Sequence, residues 1–160
     1  MISLILLVGI LGLLFLIPFA TNRRFGVLGL ALTAGSLLST NWTGTVTPFI
    51  EQHGVVMVAP PLAIVVSTAL VLLPSMLLLL SGPSYSVAWQ RILGSLAFAL
   101  LAFAFLVDGF ESALRLDTFG MQIVDFVATY SSLIIVSGIT AALADIVLTG
   151  RHGRKGKKEK

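Results

Sequence analysis

Long apolar segments separated by short polar connections occupy almost all of the 160 residues of this chain. The five segments run over about 2–20, 25–40, 55–80, 87–107 and 121–149. Charged residues make up only 11% of the chain, against about a quarter in soluble domains, and the mean hydropathy is +1.04. Because about 20 apolar residues in a helix span a bilayer, the pattern predicts an all-α integral membrane protein, a bundle of five transmembrane helices.

Two of these segments can be interpreted in more than one way. Segment 25–40 is short for a span, so either it crosses with little tilt or it extends into the polar residues 41–45. The alternative to five spans is a bundle of four. Segment 2–20 is as apolar as a secretory signal peptide. A signal peptide carries its positive charge before the apolar run, however, and here Arg23 and Arg24 follow it. We therefore interpret segment 2–20 as an uncleaved first helix.

The last two connecting regions are the most polar. Residues 108–120 mix large apolar side chains with charges, and the spacing of Glu111 and Arg115 suits an i,i+4 ion pair. This predicts a short helix lying in the membrane interface. Residues 150–160 carry seven charges, six of them basic, and we expect them to form a disordered tail.

The distribution of Lys and Arg predicts the orientation of the bundle. With five spans, nine of the ten basic residues lie on one side: Arg23, Arg24, Arg91, Arg151, Arg154, Lys155, Lys157, Lys158 and Lys160. The other side holds Arg115 together with the acidic residues Glu51, Asp108, Glu111 and Asp117. The positive-inside rule then places the N-terminus outside and the basic tail in the cytoplasm. The same basic residues are candidates for contact with anionic lipid.

Composition excludes several kinds of site. The chain has no Cys, which removes disulfides, thiolate nucleophiles and Cys-based metal sites. Its two histidines, His53 and His152, fall on opposite sides of the bundle and outside the spans, so we expect no metal, no haem and no other cofactor. No catalytic triad or phosphate-binding loop is visible, which predicts a non-enzymatic protein. The net charge of +3 arises in the tail, so we expect no nucleic-acid partner.

Asp125 and Asp145 are the acidic residues that fall inside an apolar segment. A carboxylate at the bilayer centre costs roughly 2.5–3.5 kcal/mol on insertion scales, so its position decides what it does. Asp125 lies about one helical turn from the outer end of the last span, and Asp145 is at a similar depth from the inner end. Two interpretations stay open: structural acids satisfied at the interface or by a neighbouring helix, and groups that carry a proton or cation.

A polar stripe runs along the first part of the last span. Gln122, Asp125, Thr129 and Ser132 follow the spacing i, i+3, i+7, i+10, so they share one helix face. Such a face must meet protein or water rather than lipid. It favours interhelical hydrogen bonds, and the alternative is the lining of a pore.

Small residues recur at the spacing that lets membrane helices approach closely. The predicted packing residues are Ala31, Gly35, Ser95, Ala99, Ala102, Gly138 and Ala142. Small faces of this kind close a bundle internally or recruit a partner. Within segment 55–80, Pro74 removes one backbone hydrogen bond and leaves the Leu70 carbonyl free, so we expect a kink or hinge there.

Two short runs resemble the bacterial colicin V production (CvpA) family. They are 22–29 (NRRFGVLG), which leads from the first helix into a helix rich in small residues, and 89–95 (WQRILGS), which opens the fourth. The resemblance covers about the first 108 residues; the fifth span and the basic tail are additional. It implies a bacterial inner-membrane protein linked to export or envelope physiology, and it carries no catalytic residues.

The sequence thus predicts a membrane scaffold or accessory subunit that packs against itself or against another membrane protein. The alternative is a small proton- or cation-coupled transporter or channel subunit that uses Asp125 and Asp145. Under the first hypothesis, bulky substitutions at Gly35 or Ala99 destroy function and neutral substitutions of the two acids do not. Under the second, the pattern is reversed.

Overall fold

The computed structural model describes residues 2–55, 57, 60–81, 88–113 and 118–155. Within these ranges the chain forms five helices and no strand. The helices are α1 (Ile2–Thr21), α2 (Phe25–Gln52), α3 (Leu62–Ser81), α4 (Ala88–Ala113) and α5 (Thr118–Lys155). The predicted all-helical fold is confirmed for this part of the chain.

Helix α2 is much longer than the apolar segment from which it was predicted. It continues to Gln52 rather than ending near residue 40. Side chains after the apolar part bond the carbonyl four residues earlier: Asn41 Nδ2 donates to Leu37 O at 2.8 Å, and Thr43 Oγ1 donates to Ser39 O at 2.7 Å. The polar residues 41–45 therefore continue the helix, which is one of the two alternatives left open by the sequence.

Two helix-breaking elements, Gly54 and the proline pair 60–61, determine where α2 ends and α3 begins. Gly54 has φ +87°, and its N–H donates to Glu51 O at 3.0 Å, a glycine-terminated helix end. Helix α3 begins at Leu62, directly after the proline pair 60–61, and not at residue 55. Proline lacks the N–H that a helix interior needs but is tolerated at a helix start, so the pair sets where α3 begins.

The predicted interfacial helix over 108–120 is not a separate element. Helix α4 continues through Ala113 and α5 already begins at Thr118, while residues 114–117, including Arg115, lie outside the described residues. No proline interrupts residues 108–113, so the backbone hydrogen bonds of α4 continue past the apolar part of the helix. Helix α5 likewise extends to Lys155 instead of ending at Thr149, so the first part of the predicted disordered tail is helical. Residues 156–160 lie outside the described residues.

The core lies between α2 and α4. Helix α2 packs against α3, α5 and α4, and α4 packs in addition against α1, α5 and α3. The buried residues of the main cluster are mostly Leu, Phe and Ala: Leu14, Phe25, Leu28, Leu32, Val71, Phe98, Ala99, Leu101, Ala102, Leu106 and Ala142. Every helix contributes to this cluster, so the five helices form one packed body.

Within the described ranges, three helices are long and apolar enough to cross a membrane, judged by length and composition: α3 over Leu62–Leu80, α4 over Ala88–Val107 and α5 over Gly120–Leu148. The apolar stretch Leu7–Thr21 of α1 is shorter than these three. Helix α2 is not among the three, since Ser, Thr and Asn dilute its apolar character. These helices suit a membrane protein.

Candidate functional site

The turn between α1 and α2 brings several charged groups together at one end of the bundle. Asn22 adopts φ +55°, a left-handed conformation that Asn tolerates better than most residues. It lets the chain reverse between Thr21 and Phe25. We call this end, which carries Arg23, Arg24 and Arg91, the arginine end.

Arg23 ties this turn to the end of α3. Its Nε donates to Leu79 O at 2.8 Å and its Nη2 donates to Leu80 O at 2.9 Å. These carbonyls lie in the last turn of α3 (Leu62–Ser81), where the helix leaves its acceptors without backbone partners. A guanidinium there satisfies two carbonyls and also stabilises the negative end of the helix dipole.

Arg91 ties the same turn to α4. Its Nη1 donates to Asn22 Oδ1, and its guanidinium carbon lies 4.0 Å from the centroid of the Phe19 ring, a cation–π contact. Its Nε is buried and has no hydrogen-bond partner among the described residues. The basic residues predicted to mark the cytoplasmic side are therefore also structural: Arg23 and Arg91 hold the turn against α3 and α4.

Asp145 reaches the turn from α5. Its Oδ2 accepts a hydrogen bond of 3.0 Å from the backbone N–H of Gly26, in the first turn of α2. The residue before that helix, Arg24, makes no side-chain capping bond, so the carboxylate supplies an acceptor for one of the unpaired N–H groups. Negative charge is favoured at this position. One of the two acidic candidates is thus satisfied by a neighbouring helix.

Close packing of α5 on α2 makes this contact geometrically feasible. A Cβ added to Gly26 would lie 2.7 Å from Ala142 O, and one added to Gly29 would lie 3.0 Å from the Cβ of Ala142. The first distance is shorter than real Cβ contacts, so the two backbones meet at a point where only glycine fits. Ala142 itself is fully buried.

Helices α2 and α3 form a second close pair. A Cβ added to Gly35 would lie 2.1 Å from Val71 O and 2.9 Å from Leu70 O. The Leu70 carbonyl is the one that Pro74 deprives of its helical donor, and α3 nevertheless continues as one helix through Pro74. On either side of this contact, Ser75 Oγ donates to Leu28 O at 3.2 Å and Ser67 Oγ lies 2.9 Å from Ser39 Oγ.

The remaining small residues also lie at helix contacts. Ala31, Ser95, Ala99 and Ala102 are buried, and the Ser95 hydroxyl has no hydrogen-bond partner among the described residues. A Cβ added to Gly138 would lie 2.8 Å from Leu101 Cδ1. The structure therefore places all seven predicted packing residues at helix contacts within the chain.

A cavity of about 340 Å³ lies between α2, α3, α4 and α5. Half of the residues that line it carry a hydroxyl: Ser36, Ser39, Thr40, Ser67, Thr68 and Ser131. The others are Val71, Ala104, Phe105, Leu106, Gly109 and Ile135. The cavity thus offers several neutral hydrogen-bonding groups against an apolar wall and has no charged lining residue among those described.

The cavity is closed toward the arginine end by the contact between α2 and α5. There Gly26 and Gly29 lie against Ala142, whereas further along α2 the two helices face each other across the cavity at Ser36 and Ile135. Thr40, which lines the cavity further along α2, is exposed. The close contact between α2 and α5 therefore lies between the cavity and the arginine end.

The polar stripe of α5 lies on the opposite side of that helix from the bundle. All four of its members, Gln122, Asp125, Thr129 and Ser132, are exposed. Thr129 donates its hydroxyl to Asp125 O at 2.8 Å, within the helix. Only 6% of the residues in the apolar stretch of α5 are buried, against 56% of those in the apolar stretch of α4. The stripe therefore faces outward, away from the rest of the chain.

The two acidic candidates do not converge. Asp125 is exposed on the outward face of α5, whereas Asp145 is turned toward α2. Twenty residues of helix separate them, about 30 Å at the rise of an α-helix. Among the described residues no group of three His, Cys, Asp or Glu can hold a metal ion. Of the basic tail, the backbone is described to Lys155; Lys157, Lys158 and Lys160 lie outside the described residues.

The hydroxyl residues of the cavity were not selected from the sequence. Ser36, Ser39 and Thr40 share one face of α2 at i, i+3, i+4, and this spacing was a usable signal. Ser67, Thr68 and Ser131 come from other helices, and their convergence depends on how these helices pack.

Comparisons with protein-family models, with curated proteins and with solved structures find no match to this chain. The resemblance to the colicin V production family stays a prediction.

Proposed function

We propose that this chain is a non-enzymatic scaffold or accessory subunit of the bacterial inner membrane that binds a membrane-embedded partner through the outward face of α5. The observation that carries the proposal is the exposure of the polar stripe Gln122, Asp125, Thr129 and Ser132 on a helix otherwise suited to lipid. Polar side chains at membrane depth need protein or water beside them. Among the described residues the predicted small-residue positions lie at contacts within the chain, whereas the polar stripe is exposed, which supports the stripe as the partner-binding face.

The proposal includes five spans, with the N-terminus outside and the C-terminus in the cytoplasm. Helix α1 has 20 residues and α2 has 28, about 30 and 42 Å of helix, which is enough to cross a hydrocarbon core of about 30 Å. A helix that is polar on its internal face can span when its neighbours cover that face. Grouping of Arg23 and Arg91 at one end with the C-terminal part of α5 supports this orientation under the positive-inside rule.

Exposed aromatic residues support the same arrangement. Trp89 at the start of α4 is 67% exposed, and Trp42 and Phe49 in the second half of α2 are 57% and 61% exposed. In the proposed orientation these side chains fall near the two interfaces of the bilayer, where aromatic residues are enriched. The resemblance of residues 22–29 and 89–95 to the colicin V production family adds the expectation of a role in export or envelope physiology.

Site-directed crosslinking tests the proposal, since a chain without Cys accepts single-Cys variants cleanly. In native membranes, Thr129→Cys and Ser132→Cys would be labelled with a maleimide photocrosslinker. The matched control is Leu77→Cys on α3, which is 59% exposed but lies on another helix. We expect one discrete protein adduct from the two stripe positions and only lipid adducts from residue 77.

The mass of the adduct identifies the partner. Twice the mass of the chain indicates a homo-oligomer, and any other mass indicates a second membrane protein that mass spectrometry can identify after isolation in nanodiscs. Lipid adducts alone from both stripe positions, in a variant that remains folded, contradict a partner at this face. The proton- or cation-coupled alternative is tested separately by flux measurements in proteoliposomes.

A further inference from the structure

The cavity between α2, α3, α4 and α5 has a composition that suits one class of ligand. We propose that it binds a small neutral polyhydroxylated solute. A hydroxyl group both donates and accepts hydrogen bonds, and such groups stand on three of the four helices that enclose the cavity. The inference does not depend on the partner proposed for α5, because the cavity lies on the inner side of that helix.

The hydroxyls are held in fixed positions. Ser39 and Ser67 form a hydrogen bond of 2.9 Å across α2 and α3, which joins the two sides of the cavity. Thr40 Oγ1 donates to Ser36 O at 2.9 Å, and Ser131 Oγ donates to Ala128 O at 2.7 Å. Because each of these two hydroxyls donates its proton to the backbone, its oxygen can still accept a hydrogen bond from a solute.

The described lining of the cavity carries no charge, which disfavours the binding of an ion. None of the described lining residues is ionisable, so a cation or anion would lose its hydration without gaining a counter-charge. A neutral solute loses far less hydration free energy when it enters the cavity. The apolar residues Val71, Phe105, Leu106 and Ile135 complement the C–H surface of such a molecule, while the hydroxyls complement its oxygens.

Size and depth are consistent with a solute rather than a single bound water. A cavity of about 340 Å³ has the volume of roughly ten water molecules at about 30 Å³ each. Ser36 lies about 16 Å along α2 from Phe25, near the middle of a bilayer core. The glycine contacts of α2 on Ala142 close the cavity toward the arginine end, so the solute enters and leaves by the opposite side.

Equilibrium dialysis of the full chain in nanodiscs tests the inference, with radiolabelled glycerol, erythritol and glucose as probes and ²²Na⁺ as the charged comparison. Two matched variants are compared: Thr68→Val in the cavity and Thr140→Val on the exposed face of α5. Both replace a hydroxyl with a methyl group of similar size. We expect at least one polyol to bind, Thr68→Val to weaken it about fivefold, and Thr140→Val to leave it unchanged.

A second measurement keeps the test independent of any loss of stability. In the variant Thr68→Cys, alkylation by a membrane-permeant maleimide reports directly on access to the cavity. The polyol that binds should slow this reaction, and it should not slow alkylation of Thr140→Cys. Absence of polyol binding to the folded wild-type chain overturns the inference. So does equal weakening by both Val variants, lack of protection at residue 68, or retention of ²²Na⁺ in place of the polyols.

Discussion

The carboxylate of Asp145 accepts a 3.0 Å hydrogen bond from the backbone N–H of Gly26, and this bond ties the C-terminal part of α5 to the first turn of α2. The contact depends on Gly26 itself. An added Cβ there would lie 2.8 Å from Asp145 Oδ2 and 2.7 Å from Ala142 O. An acidic residue that first suggests ion transport thus has a position that stabilises a helix end.

Substitution of Asp145 should reveal this role. We expect Asp145→Ala to lower the free energy of unfolding by about 0.5–2 kcal/mol, since the carboxylate acts like a helix-capping group. Asp145→Asn retains an acceptor oxygen and should lose less. Denaturant titration in nanodiscs followed by circular dichroism measures both. Asp125→Ala, at an exposed position on the same helix, is the control and should change stability by no more than about 0.5 kcal/mol.

Gly35 should be the most size-sensitive position of α2. An added Cβ would lie 2.1 Å from Val71 O, so Gly35→Ala forces α2 and α3 apart. We expect a loss of about 1–3 kcal/mol or more in unfolding free energy. Gly44→Ala on the same helix is the matched control, because its Cβ position is open, and it should be neutral or slightly stabilising. Equal effects of the two substitutions would contradict the close α2–α3 contact.

Arg23 should protect the end of α3 from opening. Its guanidinium donates to Leu79 O and Leu80 O, and hydrogen bonds to charged groups contribute about 1.5–3 kcal/mol. We expect Arg23→Ala to accelerate amide hydrogen exchange in the last turn of α3. Arg23→Lys keeps the charge but not the two-pronged geometry, so it should give an intermediate rate. An unchanged rate in both variants would show that these bonds do not hold the helix end.

Ion flux separates the scaffold from the alternative function. Proteoliposomes of the wild-type chain should show proton and Na⁺ flux no greater than empty liposomes, because Asp125 and Asp145 lie about 30 Å apart along α5 and face different directions. A pH-sensitive dye inside the vesicles and ²²Na⁺ uptake measure this. Flux in the wild type that disappears in both Asp125→Asn and Asp145→Asn would favour the transporter instead.

Some features of the fold were predictable from local pattern alone. The apolar segments indicated five helices. In the structure α2 ends just before Gly54 and α3 begins just after Pro60–Pro61, where the backbone chemistry of Gly and Pro acts locally. The end of α2 was harder to predict. Asn41 and Thr43 look like a polar stop, yet their side chains bond carbonyls four residues earlier and the helix continues to Gln52.

The sequence by itself determined the helical class, the grouping of basic residues around Arg23 and Arg91, and the small positions such as Gly35 where helices can meet. These follow from hydrophobicity, charge and side-chain size, which are properties of single residues and their spacing. Only the tertiary structure decided that Asp145 turns toward Gly26 while the stripe at Asp125 turns outward. It also decided that Ser67 and Ser131 share a cavity, because helix rotation and the gap left by close packing at one end depend on all five helices together.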